Sequence, residues 1–158
     1  MTQSVTTAPL AASARRVLDA MLQEQGETGL PEACGRFEVG EGVAGIVEVW
    51  GGAEGIVGVH FPRATSERIV ALATGRPAAF GTVNFEDAIS EMIEMIIVGA
   101  KGELADAEVG VTRPRLVYEG AIDSPAPGVA IPIWTECGTF FIWTALQGAS
   151  GASADGRA

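Results

Sequence analysis

Hydrophobic residues recur along the chain with two different periods, and these periods predict the order of helices and strands. A spacing of three and four residues predicts helices over 9–25, 63–75 and 85–101. Stretches rich in valine and isoleucine predict strands over 41–50, 54–62, 115–120, 128–134 and 138–147. The predicted order is therefore one helix, two strands, two helices and three strands.

The predicted strands are grouped, and short glycine-containing turns join neighbours within each group. The sequence "GGAE" separates the first two strands, and "ECG" separates the last two. Strands joined by hairpins form antiparallel sheets, and segregated helices then cover one face. The sequence therefore predicts an α+β fold, a two-layer sandwich with an antiparallel sheet and helices on one face. We expect a domain over 9–147, a loose N-terminus over 1–8 and a disordered tail over 148–158.

Polar residues and glycines predict where the second and third helices begin and end. Thr65 or Ser66 is expected to cap the helix over 63–75, and Gly75 is expected to end it. Asn84 is expected to cap the long third helix, whose first turn then carries Glu86 and an aspartate.

The long helix has one apolar side and one acidic side. At 100° per residue, one broad stripe contains only apolar residues, which are Phe85, Ile89, Met92, Ile93, Ile96, Ile97 and Ala100. A second line follows the opposite side, and its members are Asp87, Glu91, Glu94, Val98 and Lys101. We call this second line the ridge. A solvated helix surface would explain it without any function, because exposed acidic residues are common on helices.

Charge and composition exclude several classes of partner. The chain has 20 acidic and 10 basic residues, a net charge of −10, and Lys101 is its single lysine. Binding to nucleic acid or to an anionic membrane surface needs clustered basic residues, so neither partner is expected. No apolar run reaches 18 residues, and residues 1–16 lack the apolar core of a signal peptide. We therefore expect a cytoplasmic protein.

Cysteine, histidine and tryptophan are expected to have structural roles. Cys34 and Cys137 are far apart and match no zinc-binding spacing, and His60 is the single histidine. We therefore expect no disulfide, no metal site and no cofactor in this chain. The three tryptophans, which lie on three predicted strands, are expected to pack in the core or on a sheet face.

The ridge and the later strands resemble the CheC/CheX family of chemotaxis phosphatases, and more closely its CheX branch. That family carries [D/S]-x-x-x-E-x-x-N on its long helix, followed by a Gly-Asn-Ala-Lys-like stretch. Asp87 and Glu91 match the first two positions, and Glu94 stands where the asparagine belongs. The stretch "VGAK" (98–101) ends in the matching alanine and lysine, with Val98 at the glycine position and a glycine at the asparagine position.

Two segments downstream of the ridge add to the resemblance. The segment "GVTRPRLVYEG" (110–120) is similar to the family's Gly…Ser-x-Pro-x-Val…Gly pattern, with Thr112 in place of the serine. The segment "IPIWTECGTFFIW" (131–143) resembles its closing hairpin. The likeness covers about residues 10–147, and the order of elements carries more of it than any single motif.

The resemblance implies a partner, a reaction and a division of roles. Members of the family remove phosphate from an aspartyl-phosphate on a CheY-type receiver domain, whose acidic pocket holds the Mg²⁺ ion. Their glutamate reaches into the receiver's site, and their asparagine amide positions the attacking water. By this resemblance Glu91 and Glu94 occupy the catalytic positions. The partner-binding surface is expected to contain Asp87, Glu91, Glu94, Val98 and Lys101.

Glu94 departs from the family in a way that bears on catalysis. A carboxamide donates and accepts hydrogen bonds at once, whereas an ionised carboxylate only accepts them. Three outcomes are open, namely a slow enzyme, an enzyme in which Glu94 acts as a general base, and a protein without the chemistry.

Three hypotheses about function remain open at this point. The chain could be a CheX-like phosphatase acting on a phosphorylated receiver, or a non-catalytic CheX-like module that binds a receiver or another signalling partner. The third is an α+β protein whose likeness extends only to the fold. The resemblance also implies a homodimer.

Overall fold

The computed structural model describes residues 2–23, 26–105, 108–123 and 127–148. Residues 149–158 of the predicted disordered tail lie outside the described residues, so the tail stays a prediction. The predicted division into an N-terminus, a domain and a tail also stays a prediction. The three helices are α1 (Thr2–Leu22), α2 (Arg63–Thr74) and α3 (Val83–Ala100), and a short 3₁₀ helix (Lys101–Glu103) follows α3. The first five strands are β1 (Glu27–Thr28), β2 (Glu32–Ala33), β3 (Arg36–Glu38), β4 (Gly42–Gly51) and β5 (Ala53–Pro62). The later strands are β6 (Val109–Val111), β7 (Arg115–Val117), β8 (Ala121–Asp123), β9 (Val129–Thr135) and β10 (Gly138–Gly148).

The main sheet is antiparallel, and its long strands are those that the sequence predicts. Its order is β1-β9-β10-β5-β4-β6, with β2 also paired to β9 and β7 also paired to β4. The β4–β5 hairpin pairs Val43 with Phe61, and the β9–β10 hairpin pairs Ile131 with Ile142. The predicted α+β class is confirmed, because all three helices pack on one face of this sheet.

The opposite face of the sheet carries a small cover that the sequence did not predict. Strands β3 and β8 form a separate two-stranded sheet. Their apolar side chains Phe37 and Ile122 pack against Trp143 and Ile46 of the main sheet. The centre of this outer face is therefore buried, while its margins remain exposed.

Both predicted boundaries of the first helix require correction. Helix α1 begins at Thr2, earlier than the predicted start at residue 9. Thr7, which lies in this added part of the helix, is only 1% exposed. At its other end α1 stops at Leu22, and Gln23 takes a left-handed conformation with φ of 53°.

The caps of α2 and α3 differ from the predicted ones at their N-termini. Helix α2 begins directly after Pro62, so Thr65 and Ser66 lie inside it, and Gly75 ends it as predicted with φ of 81°. The cap of α3 is Thr82 instead of Asn84, and its side chain accepts a hydrogen bond from the Phe85 backbone at 3.4 Å. The extended backbone of Thr82 leaves its hydroxyl facing the first turn, as a cap requires.

Candidate functional site

Helix α3 presents the predicted ridge to solvent. All seven residues of the apolar stripe are at most 1% exposed, which confirms the predicted buried side. On the ridge, Asp87, Glu91 and Glu94 are exposed, Val98 is 52% exposed and Lys101 is half-buried. The five predicted site residues therefore share one side of a single helical segment, with the acidic ones fully available to a partner.

Close contacts on both sides fix α3 in its position. Below it, a side chain at Gly45 of β4 would place its Cβ atom 2.5 Å from Ile93, so the glycine allows the helix to approach the sheet. Beside it, the Ser13 hydroxyl of α1 donates a hydrogen bond to the Ile96 carbonyl at 2.6 Å. A Cβ atom at Gly99 would collide with that hydroxyl, so the α1–α3 contact requires a glycine at position 99.

The first turn of α3 is attached to the segment after β7. The Tyr118 hydroxyl donates to a Glu86 carboxylate oxygen at 2.6 Å, and the Tyr118 ring contacts Phe80 edge-on. Burial, and then this hydrogen bond to Glu86, raise the pKa of Tyr118 above its ordinary value. The phenol therefore stays protonated and keeps Glu86 turned away from the ridge.

A groove of about 500 Å³ runs along the ridge between α1 and α3, and we call it the α1–α3 groove. Its lining is mainly apolar, with one guanidinium and two carboxylates among the side chains. The lining residues are Ser13, Arg16, Val17, Ala20, Glu91, Glu94, Met95, Val98 and Gly99. Both predicted catalytic positions therefore border the same groove.

A second groove, of about 560 Å³, lies between the end of α2 and the first half of α3. Arg76 and Asn84, the single asparagine of the chain, line this α2–α3 groove together with Asp87 and Glu91. Glu91 thus borders both grooves and separates them. A partner that covers the ridge would surround Glu91 on two sides.

The ridge charges are not neutralised from within the described part of the chain. The ion pairs found there within 4.0 Å join Arg36 to Glu38 and Asp123, and Arg63 to Glu67. The three ridge carboxylates therefore have no ion-pair partner within the described residues, so a basic group or bound cation of a partner can pair with them.

Metal and membrane sites are not found among the described residues. No group of three or more His, Cys, Asp and Glu side chains there is arranged to hold a metal ion. No disulfide joins Cys34 and Cys137. None of the described helices is both long and apolar enough to cross a membrane.

Some residues at the site could not be found from the sequence, and one family-matched residue is structural. The sequence alone does not place Arg16 at this groove, because its position there depends on how α1 packs against α3. Thr112, which stands at the family's serine position, accepts a hydrogen bond from the Glu48 backbone at 2.9 Å and so attaches its segment to β4. Thr112 therefore lies directly after β6, beside β4, and away from the ridge.

Comparison with known proteins relates this architecture to solved structures. No protein-family model matches the chain, and no curated protein sequence matches it. A chemotaxis protein CheX from Desulfovibrio desulfuricans has a TM-score of 0.79 and 21% identity, over 90% of this chain and 99% of that one. The chain has the CheX-like fold. The predicted likeness to CheC/CheX proteins is thus confirmed at the level of the fold, whereas the altered motif on the ridge stays a prediction.

Two further structures share the CheX-like fold. The CheX of Vibrio vulnificus has a TM-score of 0.74 and 20% identity, covering 88% of this chain and 97% of that one. A chain of the CheX–CheY–BeF₃–Mg²⁺ complex from Borrelia burgdorferi has a TM-score of 0.70 and 17% identity, covering 90% and 97%. The fold therefore spans nearly the whole length of each of these proteins.

Proposed function

We propose that this protein is a chemotaxis-type signalling protein that acts on the phosphorylated receiver domain of a CheY-type response regulator. Its reaction is the hydrolysis of the receiver's aspartyl-phosphate, slowed by the glutamate at position 94. The observation that carries the proposal is the ridge, where Glu91 and Glu94 lie exposed, unpaired within the described residues, and at the family's spacing.

The fold supports the choice of partner. A similar chain occurs in a complex with CheY, BeF₃ and Mg²⁺, so a protein of this fold binds a receiver domain. In our chain Glu91 separates two grooves and projects between them, which suits an acid that enters a partner's site. Its charge pairs there with a basic group of the receiver site. Any Mg²⁺ requirement belongs to the receiver's acidic pocket.

The chemistry requires positioning more than covalent participation. An acyl phosphate is reactive, and catalysis consists of holding water in line with the phosphorus–oxygen bond that breaks. Glu94 accepts a hydrogen bond from that water but donates none, and its charge opposes the phosphoryl oxygens. We therefore propose a phosphatase that is slower than one with an amide at this position.

A second candidate function is a non-catalytic module that binds a receiver or another signalling partner. The observation that favours it is the same exposed carboxylate at position 94, which lacks the hydrogen-bond donor of an amide. Under this alternative the ridge still contacts the partner, and only hydrolysis is absent. Binding and hydrolysis must therefore be measured separately.

We expect Glu91→Ala to weaken receiver binding by at least about ten-fold, because a charged side chain at the centre of a contact is removed. The measurement is calorimetric titration with a receiver domain loaded with BeF₃⁻ and Mg²⁺. Glu103→Ala is the matched control, since Glu103 is an exposed acid beyond α3 and lines neither groove. Equal affinities for both variants would contradict a role of the ridge in binding.

We expect Glu94→Asn to raise the rate of receiver dephosphorylation by about ten-fold or more, because it restores a group that both donates and accepts. A time course of phosphorylated receiver in the presence of each protein provides the rates. A lower rate would instead identify Glu94 as a general base. If neither protein hydrolyses the phosphate while both bind the receiver, the non-catalytic function is correct.

A further inference from the structure

Arg16 lies on the wall of the α1–α3 groove opposite the predicted catalytic positions. Its side chain is exposed, and it is the basic residue among those that line this groove. One guanidinium nitrogen, Nη2, donates a hydrogen bond to the Gly99 carbonyl of α3 at 3.3 Å. Arg16 therefore reaches from α1 to the helix that carries Glu94.

The Gly99 carbonyl is a suitable acceptor because it belongs to the last turn of α3. The final carbonyls of a helix have no partner within the helix and so accept bonds from outside. A guanidinium carries five N–H donors, and this bond occupies one of them. The remaining donors are available at the groove, because no ion pair within 4.0 Å joins Arg16 to an acid in the described residues.

We propose that Arg16 and Glu94 together replace the single amide that the reaction needs. Glu94 accepts a hydrogen bond from the attacking water, and the Arg16 guanidinium donates to the oxygens of the phosphoryl group. The positive charge of Arg16 also offsets the repulsion between the Glu94 carboxylate and those oxygens. This inference rests on the proposed function, and it explains how a carboxylate at position 94 is compatible with hydrolysis.

The step itself is a simple displacement by water. The water oxygen forms a new bond to phosphorus, and the bond between phosphorus and the aspartyl oxygen breaks. The aspartate leaves as a carboxylate with the electron pair of that bond. Both protons of the water end on the released phosphate as dihydrogen phosphate, so the charge before and after the step is equal. Arg16 keeps its proton throughout and binds the phosphoryl oxygens directly.

The test compares Arg16→Ala with Arg15→Ala in the complete protein. Both changes remove one exposed arginine from the same turn of α1, but Arg15 does not line the α1–α3 groove. We expect Arg16→Ala to lower the dephosphorylation rate of a saturating phosphorylated receiver by about 10²-fold, in the range of a lost positioning group. We expect Arg15→Ala to keep the wild-type rate, and both variants to keep the wild-type melting temperature.

Two further variants separate a chemical role from a structural one. Arg16→Lys should recover part of the rate, because an ammonium keeps the charge but loses the fork of donors. In a Glu94→Asn background, Arg16→Ala should change the rate less than about three-fold, since the amide then donates and accepts alone. A large loss that persists in this background would overturn the inference.

The outcomes also distinguish this inference from the proposed function. If wild type and Arg15→Ala hydrolyse the receiver phosphate and Arg16→Ala does so equally fast, only the role of Arg16 is refuted. If the wild-type protein neither binds nor dephosphorylates phosphorylated receiver domains from its own organism, the proposed function fails, and the role of Arg16 fails with it.

Discussion

His60 is a buried residue whose ionisation depends on the fold around it. It lies in β5 on the outer face of the sheet and is 9% exposed beneath the small β3–β8 sheet. Its Nε2 atom donates to the Val39 carbonyl at 2.6 Å, and its ring meets Phe37 edge-on. Its Nδ1 atom is buried without a hydrogen-bond partner in the described part of the chain. His60 is therefore packed between the main sheet and its cover and holds Val39 through its ring.

We expect His60 to make the protein less stable in acid. Burial lowers the pKa of His60 from its ordinary value of 6.5, and the bond to Val39 opposes this only in part. The unfolded chain then binds the proton more tightly than the folded one. The contribution is complete above pH 6.5 and decreases as the pH falls from there through the folded pKa. Urea unfolding at about pH 7.5 and about pH 5.5 measures this difference.

His60→Gln is the control for this pH dependence, because glutamine keeps a donor for Val39 but does not titrate in this range. The many carboxylates of the chain titrate in both proteins, so the comparison between the two isolates the histidine. A fall in stability of the same size in wild type and variant would show that His60 does not contribute.

At the same scale, the ridge could be predicted from the sequence, but its surroundings could not. The spacing of Asp87, Glu91 and Glu94 places them on one side of a helix, because helical periodicity is a local property. The place of Arg16 depends on the packing of α1 against α3, which a single segment does not encode. Gly99 illustrates this difference, because the need for a glycine at this position comes from the nearby Ser13 hydroxyl of another helix, α1.

At the scale of elements, the sequence predicts the long strands and, among the short ones, only β7, which has three residues within the predicted range 115–120. Strands β4, β5, β9 and β10 have seven or more residues, enough for their valine and isoleucine pattern to be recognised. The strands that the sequence does not predict have only two or three residues each, and they are β1, β2, β3, β6 and β8. Three of them pair with a long strand of the main sheet, and β3 and β8 pair with each other. Helix starts were misplaced for a related reason, since a cap depends on the backbone conformation before the first turn as well as on residue type.

At the scale of the whole molecule, the outer face of the sheet is incompletely covered. The β3–β8 sheet covers its centre, yet Trp50 and Trp134 at its margins are 52% and 48% exposed. The tryptophans were expected to pack in the core or on a sheet face, and only Trp143 is buried. Beside Trp134, Leu30 is 83% exposed and follows Gly29, whose backbone lies close under the Trp134 ring. A contiguous exposed apolar patch that contains a tryptophan is typical of surfaces that bind another protein.

We expect the protein to form a homodimer through this edge, with Trp134 and Leu30 buried between the two copies. Light scattering at a protein concentration of about tens of micromolar should give twice the mass of one chain. At this concentration a dimer with a dissociation constant in the low micromolar range is mostly assembled. Trp134→Lys should shift the protein to monomer, because it removes a large apolar contact and places two like charges near the symmetry axis. Leu72→Lys is the matched control, since Leu72 is 55% exposed but lies on α2, on the helical side of the sheet. A monomeric mass for the wild-type chain, or equal loss of dimer in both variants, would contradict pairing through this edge.

Because the ridge lies on the helical side, the dimer would leave both copies of Glu91 accessible, and the Trp134→Lys monomer should bind a receiver as tightly as the dimer does per chain.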